Sequence, residues 1–154
     1  GAFDMFLFPD GMIGSNLENF GTDIDGSLGT VPGLDPANPA ASAMVKIGEA
    51  NGFAGGDAFV GESYDAAALM LLAMASAKSS DPQVYKDHVM KVANGTGEKI
   101  YPGELAKGIK LASYGIAIDY VGASSVTLIG PGEAAGNFRE IQIQNGKMVD
   151  VNYR

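Results

Sequence analysis

The order of strand-like and helix-like patterns along the chain predicts an α/β fold. Three observations support this prediction. Residues 3–8 form an aromatic, strand-like segment, and residues 40–113 carry a succession of helical patterns. Strand-like segments return near the end, where Asn145-Gly146 is a strong hairpin signal. Because the helical block lies between two β-rich ends, we expect a chain that leaves one α/β unit, visits a second and returns to the first.

The N-terminal part is expected to contain two strands separated by a short helix. The aromatic segment 3–8 stops at Pro9-Asp10-Gly11, which is typical of a largely buried strand that ends in a turn. Ser15 and Glu18 have the spacing of a capping box, which predicts a short helix beginning there. Residues 26–31 are small and partly β-branched, so we predict a second strand before Pro32-Gly33.

Four helices are predicted in the central block. Residues 40–50 place their apolar side chains on one helical stripe, and glycines end that helix. Residues 62–78 are apolar almost all round, which favours a helix at the centre of its unit. Asp81-Pro82 predicts an N-cap with proline at the first helical position, for a helix that continues to about Ala93. A further short helix is predicted over 102–113.

The tail is predicted to form strands over residues 121–129 and 137–151, and its hairpin has two alternative registers. A two-residue loop at 145–146 sets Ile143 opposite Met148 and Ile141 opposite Asp150. A three-residue loop at 145–147 sets Ile143 opposite Val149, Ile141 opposite Val151 and Arg139 opposite Tyr153. Only the second register matches apolar with apolar residues throughout, so we predict a bulged hairpin.

Composition excludes several kinds of chemistry. The 154 residues suit about one domain, with two as the outer limit. The chain has no cysteine and a single histidine, His88, which leaves no thiolate chemistry and little room for a metal site. A net charge of −8 argues against nucleic acid as a partner. We therefore expect a protein that is not an enzyme and that has no cofactor or metal site.

Two residues are candidates for ligand contact. Asp10 directly follows the first predicted strand, where α/β proteins place ligand contacts, and its carboxylate could accept hydrogen bonds from a ligand ammonium. The alternative is an ordinary turn aspartate, since Pro-Asp-Gly is itself a turn sequence. Phe59 lies between a glycine-rich loop and the long helix. Its ring could form the wall of a cleft, or it could pin the loop to the core.

Several segments together resemble a known family. Residues 6–11 (FLFPDG) and 26–32 (GSLGTVP) look like the second-lobe portion of branched-chain amino-acid-type periplasmic binding proteins, the solute receptors of ABC importers. Residues 64–67 (YDAA) resemble the start of a first-lobe helix of that family. Residues 118–125 (IDYVGASS) and 145–149 (NGKMV) resemble its third crossover and final hairpin. The likeness spans residues 3–151, and the order and spacing of the segments make it specific.

The resemblance implies part of a two-lobed type I periplasmic-binding-protein fold, with three-layer α/β/α lobes joined by hinge strands. Residues 1–33 are then a second-lobe segment, residues 34–125 a first-lobe helical segment, and residues 126–154 the closing strands and hairpin of the second lobe. The hinge strands are expected near residues 31–34 and 124–128. Because family members are more than twice as long, we expect a C-terminal piece of such a receptor.

The resemblance also implies a function. We expect an extracytoplasmic, periplasmic receptor that binds an amino acid or a related solute by hinge closure and delivers it to a membrane permease. Asp10 would hold the ligand's α-ammonium, and Phe59 would form the opposing wall. The central helices would expose apolar surface, to be covered by the missing N-terminal part or by a second copy. A ligand-sensing domain of the same fold, not coupled to transport, is the alternative, and a small α/β enzyme is disfavoured because no nucleophile motif is present. No signal peptide is visible in the chain.

Overall fold

The computed structural model describes residues 2–125, 127–130 and 133–154. They form two compact units. Unit 1 contains the described residues of Gly1–Gly33 and Asn137–Arg154, and unit 2 contains those of Leu34–Gly136. The chain therefore passes from unit 1 to unit 2 and back, as the order of the sequence patterns predicts.

The elements follow in chain order. The strands are β1 (Leu7–Phe8), β2 (Leu28–Pro32), β3 (Glu98–Ile100), β4 (Ile118–Tyr120), β5 (Thr127–Gly130), β6 (Glu133–Ala135), β7 (Phe138–Gln144) and β8 (Lys147–Tyr153). The α-helices are α1 (Pro39–Asn51), α2 (Val60–Ala77), α3 (Pro82–Ala93) and α4 (Leu105–Ser113). Two 3₁₀ segments, Asp10–Met12 and Ser15–Ile24, lie between β1 and β2.

Unit 1 is a mixed four-stranded sheet in the order β1-β2-β7-β8. The strand β1 pairs with β2 in parallel, whereas the pairs β2–β7 and β7–β8 are antiparallel. The longer 3₁₀ segment contacts β7 and β8. Together these elements bury a small core, which consists of Phe8, Leu17, Ile24, Ile141 and Ile143.

The prediction of a largely buried first strand is wrong. Only Leu7–Phe8 is extended in the sheet, and of the aromatic segment only Phe8 is buried. Phe3 is 75% exposed and Leu7 is 78% exposed. The strand β1 lies at the edge of the sheet, so within the described residues its apolar side chains have little surface to pack against.

The predicted capping box is also absent. Residues 15–24 form 3₁₀ turns on either side of a kink at Gly21, which has a φ angle of 58°. The N-cap is Gly14, and no side chain caps this segment. Glu18 is used elsewhere, because its carboxylate accepts a hydrogen bond from Lys147 Nζ at 2.6 Å and one from the Met148 N–H at 3.4 Å. This carboxylate therefore ties the 3₁₀ segment to the start of β8 instead of closing its own turn.

The β7–β8 hairpin has the two-residue loop, so the predicted three-residue loop is wrong. Ile143 is paired with Met148 and Ile141 with Asp150. Asn145 and Gly146 have positive φ angles of 53° and 71°, as a type I′ turn requires. The preference of Asn-Gly for this turn outweighs the better apolar matching of the longer loop.

A bulge is nevertheless present farther along the hairpin. The register shifts between Glu140 and Ile141, which leaves Val151 as the extra residue of β8. Beyond the bulge Arg139 is paired with Tyr153, as the three-residue loop predicted. The hairpin therefore contains a bulge, as the apolar pattern predicts, but the bulge lies within the strands and not in the turn.

Unit 2 contains the four predicted helices. Asp81 caps α3, since its Oδ1 accepts a hydrogen bond from the Gln83 N–H at 2.9 Å. The helix α2 is central, as its all-round apolar pattern predicts, and packs against α3 and α4. The core cluster contains Ala68, Leu69, Leu72, Ala73, Val92, Ala93, Ile100, Ala112, Ile118 and Tyr120. No helix of the described residues is long and apolar enough to span a membrane.

The strands of unit 2 differ from the prediction. The parallel pair β3–β4 is connected through α4, and β3 has no counterpart among the predicted strands. In place of one strand over 121–129, β4 ends at Tyr120 and β5 begins at Thr127. The hairpin β5–β6 belongs to unit 2, and Asn94 Nδ2 donates a hydrogen bond of 2.7 Å to the Leu128 carbonyl. The division of the full receptor into lobes at residue 126 stays a prediction.

Candidate functional site

Asp10 lies at the carboxyl end of β1, in the first 3₁₀ turn. Its side chain is exposed, and Oδ1 accepts a hydrogen bond from the N–H of Gly11 at 2.7 Å. Among the described residues no other hydrogen bond or ion pair engages this carboxylate. One carboxylate oxygen is therefore available to a cationic donor such as an ammonium group.

An aromatic pair, one residue of which belongs to β1, precedes Asp10 in the chain. The rings of Phe6 and Phe8 are stacked, with centroids 6.0 Å apart and an interplanar angle of 20°. The Phe6 N–H donates a hydrogen bond to the buried Ser27 Oγ at 3.1 Å, which fixes the backbone ahead of β1. Phe6 remains 40% exposed.

Phe59 is the N-cap residue of α2 and has a left-handed backbone, with φ 68° and ψ −6°. This conformation is costly for a bulky residue and is often found at functional positions. The side chain is 45% exposed and makes no capping hydrogen bond. Phe59 belongs to unit 2 and Asp10 to unit 1, and their common role in one site stays a prediction.

Sequence reasoning missed the role of Asp65, a buried carboxylate in α2 that is 1% exposed. Its Oδ1 accepts hydrogen bonds from the Tyr120 hydroxyl at 2.7 Å and from the Ala123 N–H at 3.0 Å. Its Oδ2 accepts from the N–H of Ser124 at 2.8 Å and from the Ser124 hydroxyl at 2.6 Å. The available signal was a carboxylate that directly precedes the long apolar run of residues 66–75 in α2.

The tyrosine of this network stays protonated. Burial, together with the charge of Asp65, raises the pKa of the Tyr120 hydroxyl above its ordinary value. The hydroxyl therefore donates to Asp65 at any physiological pH. With four donors, the buried carboxylate is satisfied, and its arrangement indicates a structural role.

Asn38 holds the same loop from the opposite side. Its Oδ1 caps α1 by accepting from the Ala40 N–H at 2.9 Å. Its Nδ2 donates to the carbonyls of Gly122 at 3.0 Å and Ala123 at 3.2 Å, and approaches Ser125 Oγ at 2.7 Å. Residues 122–125 are thus hydrogen-bonded by two polar side chains of unit 2, those of Asn38 and Asp65.

The described part of unit 2 has several further concave regions, among them a groove and a pocket. A groove of about 790 Å³ between α2, α3 and the β5–β6 hairpin is mostly apolar, with Leu69, Met70 and Met90 among its lining residues. A pocket of about 380 Å³ is lined in part by Ser76, whose Oγ lies 2.8 Å from His88 Nδ1. Within the described residues no group of His, Cys, Asp and Glu side chains could hold a metal ion.

Comparison with known proteins identifies the fold. No protein-family model matches the chain, and no curated protein sequence matches it. The chain is similar to the crystal structure of a leucine-binding protein, LivK from Thermotoga maritima, with a TM-score of 0.61 and 21% sequence identity. The similarity covers 97% of this chain and 37% of LivK.

The class of fold follows from this similarity. The chain has the α/β fold of part of a type I periplasmic binding protein, which confirms the fold class and the resemblance drawn from the sequence. It spans little more than a third of the length of LivK. At 21% identity the likeness establishes the fold, and ligand and partners belong to the proposal that follows.

Proposed function

We propose that this chain is part of an extracytoplasmic solute-binding receptor that takes an amino acid or a related small solute. The observation that supports this proposal is the fold similarity to a leucine-binding protein over 97% of the chain. In the complete receptor the ligand binds between two lobes and stabilises their closed arrangement. The permease of an ABC importer then recognises the closed form and receives the solute.

Asp10 is proposed to hold the ligand's α-ammonium. Its exposed carboxylate follows a strand of a mixed sheet and has an oxygen free for a charge-assisted hydrogen bond. An ammonium bound there replaces water without separating Asp10 from any ion-pair partner among the described residues. Phe6, which lies four positions before Asp10 and is partly exposed, is proposed to offer apolar surface to the aliphatic part of the same ligand.

Phe59 is proposed to form the opposing wall. Its half-exposed ring belongs to the N-cap residue of α2, whose backbone is left-handed. An aromatic face can pack on the aliphatic part of a ligand and attract its cationic group. The strained backbone of a bulky residue is consistent with a position kept for binding.

Exposed apolar residues of unit 2 support the partner proposal. Leu71, Ile109 and Ile116 are between 36% and 50% exposed. We propose that the remaining part of the receptor covers this surface, and that in its absence a second copy does so. Light scattering of the 154-residue chain is then expected to show association. A compact monomer that binds no hydrophobic dye would contradict this expectation.

Binding measurements test the function. Calorimetric titration of the complete protein with a panel of amino acids is expected to find at least one that binds. Asp10→Asn should lower the affinity for that ligand at least tenfold, a loss of about 1.5–3 kcal/mol in binding free energy, because it removes a charge-assisted hydrogen bond. Asp23→Asn is the matched control, since it removes the same charge from another exposed position of unit 1. Equal losses in both variants would contradict the role of Asp10.

The aromatic wall has its own matched pair. Phe59 and Phe53 lie in the same loop before α2 and are 45% and 44% exposed. Phe59→Ala is expected to weaken ligand binding several-fold, whereas Phe53→Ala should leave the affinity unchanged.

A separate measurement distinguishes transport from sensing. If amino acids bind but no permease responds to the loaded protein, the ligand-sensing alternative replaces transport.

A further inference from the structure

The first turn of α2 contains a carboxylate that no donor of the described residues satisfies. Glu62 is the third residue of α2, and its Oε2 atom is buried without a hydrogen-bond partner in the part of the chain that the structure describes. The ion pairs of these residues do not include Glu62 either. A buried carboxylate oxygen without a donor is costly, so its place in the protein requires a reason.

A second carboxylate of the same helix shows how unit 2 uses a structural acid. Asp65 lies three positions farther along α2, and its two oxygens together accept four hydrogen bonds within the protein. A glutamate at the position of Glu62 can accept the N–H of the N-cap residue, as in a capping box, but Oε2 of Glu62 receives no such bond from Phe59. Asp65 is therefore fully used within unit 2, whereas Glu62 has an oxygen left for a donor from outside it.

An aromatic ring lies at the same end of α2. Phe59 is the N-cap residue, precedes Glu62 by three positions and is 45% exposed. Because the N-cap and the third residue of a helix lie close together, we expect the ring and the carboxylate to border one surface. An aromatic face attracts a cation, and a carboxylate forms a charge-assisted hydrogen bond with it. This surface therefore fits a cationic group better than an aliphatic one.

We propose that Glu62 is a second acceptor of the solute site, and that the solute is an amino acid whose side chain ends in an ammonium group. This inference rests on the proposed function, in which Asp10 of unit 1 holds the α-ammonium. The side-chain ammonium donates to Oε2 of Glu62 and packs on the ring of Phe59. One buried oxygen suits a compact ammonium better than a guanidinium, whose planar fork pairs with both oxygens of a carboxylate. The net charge of −8 favours the approach of a cationic solute.

The same carboxylate disfavours an aliphatic solute. A leucine side chain placed against Glu62 excludes water from the carboxylate and supplies no donor in return. Binding sites reject a wrong ligand largely through the polar groups that this ligand leaves unpaired. The proposed solute therefore differs from the leucine that LivK binds, although the two folds are alike.

Ligand pairs that differ only in the side-chain ammonium test this inference. L-Lysine is L-norleucine with a terminal ammonium, and L-ornithine is related to L-norvaline in the same way. Calorimetric titration of the complete protein is expected to show that lysine or ornithine binds about tenfold or more tightly than its aliphatic partner. Glu62→Gln should abolish this preference and leave the affinity for the aliphatic partner unchanged or higher. Glu49→Gln is the matched control, because it removes the same charge from an exposed position of unit 2, and it should retain the preference.

The outcomes separate this inference from the proposed function. Binding of aliphatic amino acids without a preference for lysine or ornithine would overturn the role of Glu62 and leave the receptor, whereas no binding of any amino acid would overturn both. Equal losses in Glu62→Gln and Glu49→Gln would also overturn the role of Glu62.

Thermal unfolding without ligand gives an independent measurement. Glu62→Gln is expected to leave the melting temperature of the complete protein unchanged or higher, because it removes a charge that has no partner among the described residues. A lower melting temperature would show that another part of the receptor supplies the donor to Glu62, and would overturn the inference.

Discussion

Different kinds of internal contact stabilise unit 1 and unit 2. Unit 2 packs α2 against α3 and α4 and against a parallel pair of strands, and its core is continuous. Unit 1 is a sheet with a smaller core, and its first strand is a two-residue edge with exposed apolar side chains. Unit 2 therefore depends on helices whose signals are local, whereas unit 1 depends on pairings between segments far apart in the sequence.

The largest effect is expected at the centre of unit 2. Leu72 is fully buried in α2, whereas its neighbour Leu71 is 45% exposed. Leu72→Ala should lower the free energy of unfolding by about 2–5 kcal/mol, because it removes buried methyl groups and leaves a cavity. Leu71→Ala is the control and should change it by less than about 1 kcal/mol. Urea unfolding measures both, and equal losses would show that α2 is not the centre of the core.

The next effect is expected at the buried carboxylate of α2. Asp65→Ala leaves the Tyr120 hydroxyl and the N–H groups of Ala123 and Ser124 without their acceptor. Unsatisfied buried donors of this kind cost about 1–3 kcal/mol each before relaxation, so we expect a loss of about 3 kcal/mol. Asp87→Ala, at an exposed position of α3, should stay within about 0.5 kcal/mol. Thermal unfolding of both variants decides whether unit 2 depends on the hydrogen bonds of Asp65 as well as on its apolar core.

The features that the sequence predicted are those set by neighbouring residues. The N-cap at Asp81, the helix that follows it and the all-round apolar helix α2 are confirmed, because caps and periodicity act within a few residues. The position of Asp10 after the first strand also follows from a local Pro-Asp-Gly turn. The fold class could be predicted because the order of these local elements defines it.

The features that were missed depend on distant partners. Asp65 is bonded to residues 55 to 59 positions away, and no local pattern specifies such contacts. The first strand was predicted to be buried because its composition is apolar, but it lies at a sheet edge. The register of the hairpin was assigned by apolar matching, which the turn preference of Asn145 and Gly146 overrides.

The hairpin of unit 1 offers a smaller and more local test. Gly146 has a φ angle of 71°, so Gly146→Ala is expected to cost about 1 kcal/mol. Gly14→Ala is the control, because Gly14 has an extended backbone that alanine adopts without strain. Nuclear Overhauser contacts between Ile143 and Met148 should be present in the unaltered protein. Contacts between Ile143 and Val149 in their place would restore the three-residue loop.

The smallest effect is expected from the ion pair that ties the 3₁₀ segment of unit 1 to β8. The hydrogen bond from Lys147, with a further one from the Met148 N–H, lowers the pKa of Glu18 in the folded protein. A lowered folded-state pKa means that the Glu18 carboxylate adds stability above its ordinary pKa, and that this stability is lost as the pH falls through the lowered value.

Glu18→Gln should therefore reduce the melting temperature slightly near neutral pH, and the difference from the unaltered protein should shrink as the solution is acidified to about pH 3. Because both partners are solvent-accessible, added salt should reduce the difference as well. Lys147→Gln and the double variant complete a cycle that isolates the pair from other effects of each change. A melting difference that stays constant with pH would show that Glu18 acts through packing, and that even this contact of unit 1 is not electrostatic.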